Sequence, residues 1–140
     1  MIDKLVLLKQ GCDLHVSTIN QIAAHRAVSQ GFEQHLSLLR NAYGAKAQAI
    51  LGSLARHMPQ GVTWSKPQGG MFVWIWLPEH IDGATLLERA IAEERVAFVP
   101  GAPFFAEVKA TNAIRLSYSL PTAAEIEDGV ARLARLIARS

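Results

Sequence analysis

The sequence has little of what several classes of protein require. It contains one cysteine, Cys12, which excludes an internal disulfide and a CxxC zinc pair and predicts a reducing compartment. No apolar run approaches the roughly 20 residues that a membrane helix needs. The start, MIDKLVLLKQ, is amphipathic and too short in its apolar part for a secretory signal. These absences predict a cytoplasmic protein without a membrane partner.

The chain also lacks a large excess of charge of either sign. Fourteen Lys and Arg residues stand against twelve Asp and Glu, which gives a net charge of +2, and the basic residues are scattered along the chain. A nucleic-acid partner is therefore not expected, because it would need a massed basic surface. The five histidines form no HxxxH or HxH pattern and have no cysteine or carboxylate at a zinc-like spacing, so no metal is predicted.

Repeats, low-complexity stretches and flexible linkers are also lacking, so the organisation has to come from hydrophobic periodicity. Half of the 140 residues are hydrophobic, which suits a compact domain. Apolar residues spaced three and four apart predict a long helix over about residues 19–58. Gly31 and Gly44 are both candidate bends in this helix, and Pro59 and Gly61 end it.

The remaining elements alternate between strands and helices. A short strand is predicted at 62–64, followed by the strand MFVWIWLP, which is apolar on both faces and therefore predicted to be central and covered twice. A helix capped by Asp82 leads to the strand VAFV and then to a strand over 111–121. A last helix begins with the capping-box spacing of Thr122 and Glu125. This order predicts an α/β sandwich with helices packed on a small mixed or antiparallel sheet.

The strand TNAIRLSYSLP raises the question of what Arg115 binds. On a strand of period two, Arg115 and Ser117 lie on one face, and the apolar residues Ile114, Leu116 and Tyr118 lie on the other. A guanidinium on an interior strand needs an anion, and its planar fork of donors fits a carboxylate bidentately. The alternative is an ion pair with a neighbouring Asp or Glu.

Four stretches in this order carry a resemblance: KLVLLKQGCDLHVSTINQ, KPQGGMFVWIWLP, VAFVPGAPFF and NAIRLSYSLP. They resemble the carboxyl-terminal part of fold-type I aminotransferases that use pyridoxal phosphate, in particular the subgroup acting on aminoadipate, aromatic and branched-chain amino acids. The resemblance covers nearly the whole chain. It implies that residues 21–140 form the small carboxyl-terminal domain and that residues 1–20 are the tail of the large domain. It also implies a homodimeric parent that exchanges an amino group between an amino acid and a 2-oxo acid.

The resemblance assigns roles to particular residues. In the family, the arginine of the last strand pairs with the substrate α-carboxylate, which here is Arg115. Gly69 and Gly70 are implied to line the pocket by letting the backbone pass close to it, although they could form only a turn. Phe104 is implied to border the substrate side chain. The following AEVKAT replaces a longer glycine-rich connection, so the family's side-chain specificity does not carry over.

Two further groups have competing interpretations. Ser17, Thr18 and Asn20 correspond to a segment near the active-site edge and the partner subunit, and the alternative is helix N-capping before Ile19. The tryptophans could form a stacking platform for a ligand, but on a strand covered twice they are more often part of the core. They are Trp64, Trp74 and Trp76.

The resemblance also implies that this chain holds no catalytic residue. The family's Schiff-base lysine is preceded by a serine and followed by an arginine-bearing phosphate segment, and no lysine here has that context. The chain is therefore expected to be an inactive fragment that self-associates through uncovered apolar surface. Two alternatives remain. One is the effector-binding domain of an aminotransferase-like transcription regulator, and the other is a free-standing α/β interaction module.

Overall fold

The computed structural model describes residues 1–13, 15–106 and 111–140. The chain divides into two compact units, residues 1–39 and 40–140. The predicted domain boundary after residue 20 remains a prediction. Among the described residues, no helix is both long enough and apolar enough to cross a membrane.

The first unit contains helices α1 (Ile2–Cys12) and α2 (Thr18–Ser29) and the start of α3 (Phe32–His57), which continues into the second unit. The predicted long helix is therefore divided near Gly31, where φ is +74°, whereas Gly44 lies inside α3. No residue of α1 or α2 is buried. Apolar side chains of α1, including those of Leu5, Leu7 and Leu8, consequently face solvent.

The second unit is built on a four-stranded sheet, all of whose strand pairs are antiparallel. The strands are β1 (Thr63–Trp64), β2 (Phe72–Trp76), β3 (Val99–Pro100) and β4 (Ala113–Ser117), in the order β1-β2-β4-β3. The helical elements that follow β2 are α4 (Gly83–Arg89), a π-helical turn (Ala90–Glu94), a 3-10 turn (Ala102–Phe104) and α5 (Ala123–Ile137). The predicted helix-covered sheet is thus confirmed, with antiparallel pairing.

One face of the sheet forms the core. In the β2–β4 register, Val73 lies opposite Leu116 and Ile75 lies opposite Ile114, and all four are buried. The α5 residues Ile126, Val130 and Leu133 complete the core together with Ile50 and Leu54 of α3. Burial of these side chains is the main stabilising term, at about 1.5–3 kcal/mol for each large aliphatic residue.

The other face of the sheet is only partly covered by the described residues. Phe72 and Trp76 of β2 are 41% and 39% exposed, and Trp74 between them is half-buried. The prediction that β2 is covered on both faces was therefore wrong, as was the placement of all the tryptophans in the core. The uniformly apolar sequence FVWIW conceals this difference because it carries no period-two signal.

Both predicted caps are confirmed. The Asp82 carboxylate accepts hydrogen bonds from the N–H groups of Thr85 and Ala84 at 2.9 and 3.0 Å, and these bonds lower the pKa of Asp82. Thr122 and Glu125 form the reciprocal capping box at the start of α5. Each cap satisfies N–H groups that a helix leaves free at its first turn.

Two carboxylates connect α5 to the rest of the second unit. Glu127 of α5 binds Arg56, Ser53 and His57 near the end of α3, and these contacts lower the pKa of Glu127 to about 2. At the other end, Glu94 of the π-helical turn is bound by three arginines, Arg132 and Arg135 of α5 and Arg139 just after it. Arg139 and Arg135 contact its carboxylate at 2.6 and 3.4 Å, and Arg132 donates to its backbone carbonyl at 2.7 Å.

Candidate anion-binding site

Arg115 lies in the middle of β4, on the open face of the sheet. It is paired in register with Trp74 of β2 on one side and with Val99 of β3 on the other. Residues directly opposite each other in an antiparallel pair project to the same face, so all three point away from the core. The Arg115 side chain is half-buried there, and the open face around it is largely aromatic.

Two phenylalanine rings contact the guanidinium group. The Cζ atom of Arg115 lies 4.3 Å from the ring centroid of Phe72 and 4.6 Å from that of Phe104. Both distances are within the range of a cation–π interaction. Trp74 supports this arrangement, because its ring meets Phe104 edge-on at 5.6 Å and Phe105 at 6.0 Å. The guanidinium is therefore held in position by aromatic contacts.

The hydrogen-bonding capacity of Arg115 is not used within the described residues. Its Nε atom is buried and has no hydrogen-bond partner. No carboxylate in residues 1–13, 15–106 and 111–140 forms an ion pair with it. The described part of the chain thus gives no support to the alternative of a neighbouring Asp or Glu. A buried donor that lacks a partner costs about 1–3 kcal/mol, and the Nε of Arg132 is left in the same state.

The Gly69–Gly70 turn leads into β2, with Met71 between Gly70 and Phe72. Gly70 has φ +82°, a backbone conformation that favours glycine. The turn is tied to the end of β4 by Tyr118, whose hydroxyl donates to the Gly70 carbonyl at 2.9 Å and whose N–H donates to the Met71 carbonyl at 3.0 Å. Tyr118 is buried, and this burial raises its pKa.

Gly101 places Phe104 beside Arg115. Its N–H donates to the Ala113 carbonyl at 2.6 Å, and a Cβ atom at this position would lie 2.7 Å from the Ala113 Cβ. The backbone can approach β4 this closely only because residue 101 is glycine. The 3-10 turn that begins at the next residue then carries Phe104 onto the guanidinium.

A cavity of about 400 Å³ adjoins Arg115. It lies among β4, α5 and the segment 95–99, and most of its lining residues are apolar. Three arginines line it, of which Arg132 is engaged by Glu94 and Asp128, while Arg95 is exposed at the end of the π-helical turn. The site therefore combines an apolar wall with positive charge, which suits a carboxylate attached to an organic body.

Comparison with known proteins identifies the family. The family model for aminotransferase class I and II matches residues 2–133. The chain belongs to this family. Its predicted resemblance to aminotransferases is thus confirmed.

Two curated aminotransferases show how far the similarity extends. A 2-aminoadipate transaminase of Thermus thermophilus is 45% identical over 97% of this chain, and an aromatic-amino-acid aminotransferase of Thermococcus litoralis is 41% identical over 97%. The chain spans only 34% and 33% of the lengths of these two relatives. A weaker similarity, 28% identity over 98% of the chain, is to an uncharacterized HTH-type transcriptional regulator of Bacillus subtilis.

A solved structure supports the fold of this chain. The crystal structure of α-aminoadipate aminotransferase from Thermus thermophilus, complexed with N-(5'-phosphopyridoxyl)-L-leucine, superposes with a TM-score of 0.89 at 44% identity. The match covers 99% of this chain and 35% of that one. The predicted fold class is therefore confirmed at the level of a known aminotransferase.

The predicted site residues fall into two groups. Four of them lie in the second unit, namely Arg115, Gly69, Gly70 and Phe104. There, Phe104 contacts Arg115, and Gly70 precedes the strand that carries Phe72. Ser17, Thr18 and Asn20 lie in the unit of residues 1–39 and are exposed. Ser17 occupies the N-cap position of α2, but its side chain makes no capping hydrogen bond. The functional roles of both groups stay predictions.

Sequence reasoning missed Phe72 and Tyr118 as members of the site. Phe72 was assigned to a strand covered on both faces, and Tyr118 to the apolar face of β4. Two features of the sequence nevertheless pointed to Phe72. It follows the glycine turn by two residues, and a charged residue such as Arg115 on one strand implies that the neighbouring strands share an exposed face. The register that brings Phe72 to Arg115 depends on strand pairing, which the sequence does not encode locally.

The described residues of this chain do not fit a covalent site for pyridoxal phosphate. None of the four described lysines lines the cavity: Lys4, Lys9, Lys46 and Lys66. Lys46 is engaged elsewhere, since its Nζ donates to the carbonyls of Ser119 and Leu120 at 2.7 and 3.2 Å. Lys109, and most of the AEVKAT segment, lie outside the described residues. The residues beside Arg115 fit an organic carboxylate instead.

Proposed function

We propose that residues 40–140 supply the substrate-carboxylate clamp of an aminotransferase, and that the whole protein transfers an amino group between an amino acid and a 2-oxo acid. The observation that carries this proposal is the guanidinium of Arg115, which is held by two aromatic rings and has a buried Nε without a partner among the described residues. The names of the two relatives, a 2-aminoadipate transaminase and an aromatic-amino-acid aminotransferase, support the reaction class.

The clamp acts by binding and orienting the substrate. Arg115 offers two parallel N–H donors to the two oxygens of a carboxylate, which fixes the orientation of the substrate as well as its charge. The neighbouring rings of Phe72 and Phe104 exclude water from one side of this pair, and a lower local dielectric strengthens it. Correct orientation at the reacting carbon is itself a large contribution to rate.

Pyridoxal phosphate is the proposed cofactor of the whole protein, in which it would act as an electron sink for the reacting amino acid. The described residues of this chain are proposed to bind only the substrate. The 140-residue chain alone is accordingly proposed to be inactive in transamination. Homodimerisation and the positions of Ser17, Thr18 and Asn20 near a subunit interface belong to the same proposal and rest on the family resemblance. A cytoplasmic location is also proposed, and it rests on the composition of the sequence.

A titration of the chain with pyruvate tests the clamp. Pyruvate is a 2-oxo acid with a carboxylate, and methyl pyruvate is a matched control that lacks the anion. In ¹H–¹⁵N spectra, pyruvate should shift the amides of β4 and β2, and methyl pyruvate should not. Arg115→Ala should abolish the shifts, and Arg115→Lys should retain part of them, because an ammonium supplies charge without the planar fork.

Arg95→Ala is the matched control variant. Arg95 also lines the cavity, but its side chain is exposed, so its loss should leave pyruvate binding nearly unchanged. The clamp proposal is wrong if pyruvate produces no shifts in the wild-type chain, or if the Arg115→Ala chain responds as strongly as the wild type.

A second function is favoured by one observation, the 28% identity to a transcriptional regulator. In that case the same site would bind an effector rather than a substrate. The coding sequence upstream of Met1 separates the two. A lysine followed by an arginine-bearing phosphate segment supports the enzyme, and a DNA-binding segment together with loss of that lysine supports the regulator.

A further inference from the structure

We propose that Tyr118 and Phe72 are positioning residues for Arg115, connected through the Gly69–Gly70 turn. In this arrangement the Tyr118 hydroxyl holds the turn, the turn holds the ring of Phe72, and the ring holds the guanidinium in the orientation that receives a carboxylate. The inference rests on the proposed role of Arg115 as a carboxylate clamp. It concerns what keeps that clamp in place before a ligand arrives.

The first connection runs from Tyr118 to the turn. Tyr118 is 1% exposed and follows β4 directly, so its ring is fixed by the core. Its hydroxyl donates to the Gly70 carbonyl at 2.9 Å, and its N–H donates to the Met71 carbonyl at 3.0 Å. These two bonds lie beyond the last register pair of β2 and β4, Phe72 with Ser117. They therefore hold residues that sheet pairing no longer restrains.

The second connection runs from the turn to Phe72. Both glycines of the turn are exposed, and the space where a Cβ of either would lie has no atom within 4 Å. Side-chain packing thus contributes little to holding this turn, and the hydrogen bonds from Tyr118 become its main restraint. Phe72 is 41% exposed and begins β2 two residues after Gly70, so its backbone pairs with Ser117 and its ring contacts Arg115.

The third connection is between the rings and the guanidinium. Phe72 and Phe104 approach the Cζ of Arg115 at 4.3 and 4.6 Å. Contact with the faces of aromatic rings leaves the edge donors of a guanidinium free for a carboxylate. A side chain that is already immobilised loses less rotamer freedom on binding, which raises affinity without any new ligand contact.

The test combines three variants with one matched control. Phe72→Leu removes the ring, Phe72→Tyr keeps it, and Tyr118→Phe removes only the hydroxyl that binds the turn. Trp76→Leu is the control, because Trp76 lies on the same open face of β2 and is 39% exposed. For each chain, the measurements are the Nε–H resonance of Arg115, the dissociation constant for pyruvate and the melting temperature.

Wild-type Arg115 should show an Nε–H resonance displaced by the ring currents of its neighbours. Phe72→Leu should remove much of this displacement and weaken pyruvate binding about two- to tenfold, the range expected for one side chain that must be immobilised on binding. Tyr118→Phe should move both quantities in the same direction by a smaller amount. Phe72→Tyr and Trp76→Leu should retain the wild-type resonance and affinity, even where the melting temperature changes.

Two results separate the failure of this inference from failure of the proposed function. If the wild-type chain binds pyruvate but Phe72→Leu and Tyr118→Phe leave the Arg115 resonance and the affinity unchanged, the positioning role is wrong and the clamp stands. If the wild-type chain does not bind pyruvate, the clamp is wrong. The positioning role of Tyr118 is then judged only by whether the Nε–H resonance of Arg115 differs between the wild type and the folded Tyr118→Phe chain. If Phe72→Leu unfolds the chain, Tyr118→Phe still tests the inference, because it is conservative and keeps the core intact.

Discussion

Substituting Gly101 by alanine should destabilise the second unit and displace Phe104 from Arg115. The backbone dihedral angles of Gly101, φ −78° and ψ −26°, are ones that alanine adopts freely, so the effect would be steric. The added Cβ would lie 2.7 Å from the Ala113 Cβ and 2.8 Å from the Ala113 carbonyl oxygen. Both atoms belong to β4, an interior strand that cannot move without disturbing the core.

The expected magnitude follows from this geometry. Overpacking against a well-packed strand costs about 1–3 kcal/mol. For a unit of this size, each kcal/mol lowers the melting temperature by about 4 °C, so Gly101→Ala should melt about 4–12 °C below the wild type. Thermal unfolding followed by circular dichroism and tryptophan fluorescence measures the change, because Trp74 packs against the displaced Phe104.

Gly69→Ala is the matched control for this substitution. A Cβ at Gly69 meets no atom within 4 Å, and its φ is not positive, so the variant should melt within about 2 °C of the wild type. If Gly101→Ala has the same melting temperature as Gly69→Ala, the close approach of residue 101 to β4 does not constrain the fold. An unchanged Arg115 Nε–H resonance in Gly101→Ala would likewise contradict the role of this glycine in placing Phe104.

Four further outcomes are expected. In the whole protein, Arg115→Ala should weaken amino-acid and oxo-acid binding by about 2–5 kcal/mol while cofactor retention, followed by absorbance, persists; equal loss of both would contradict a substrate clamp. The 140-residue chain mixed with pyridoxal phosphate, an amino acid and a 2-oxo acid should form no new oxo acid, and turnover abolished by Arg115→Ala would refute the proposal that the chain is inactive alone. Glu127 has a pKa of about 2 in the folded chain against an ordinary value of 4.5, so it stabilises the fold fully above pH 4.5 and progressively less as the pH falls towards 2. In urea unfolding, Glu127→Gln should be less stable than the wild type at pH 7. Its free energy of unfolding should also fall less than that of the wild type between pH 4.5 and 2. The exposed apolar side chains of α1 should promote self-association, so Leu5→Glu with Leu8→Glu should lower the mass measured by light scattering at high concentration, and a wild-type chain that is monomeric there would contradict it.

Local features were predictable from the sequence because their causes are local. The caps at Asp82 and Thr122 depend on residues two or three positions apart, and the structure has both. The sequence identified two glycines as candidate bends in the long helix but could not choose between Gly31 and Gly44. The choice depends on what each segment packs against, since the free-energy cost of a glycine inside a helix is about the same at either position.

Features that depend on strand pairing were not predictable in the same way. Arg115 was identified from the alternation of its own strand, but its neighbours come from β2, β3 and the 3-10 turn. The sequence FVWIW shows no alternation, so nothing local distinguishes the open face from the core face. Only the register, with Trp74 opposite Arg115, reveals that Phe72 belongs to the site.

The binding of one residue, Glu94, by three arginines has a mechanical consequence. Arg132 and Arg135 of α5 and Arg139 just after it all bind Glu94, so the end of the π-helical turn is attached to the last helix. The segment that follows has other attachments, because Phe98 packs in the core and Val99 and Pro100 pair with β4. We expect substitutions of these arginines to loosen the wall of the cavity at Arg95, while Arg115 on β4 keeps its place.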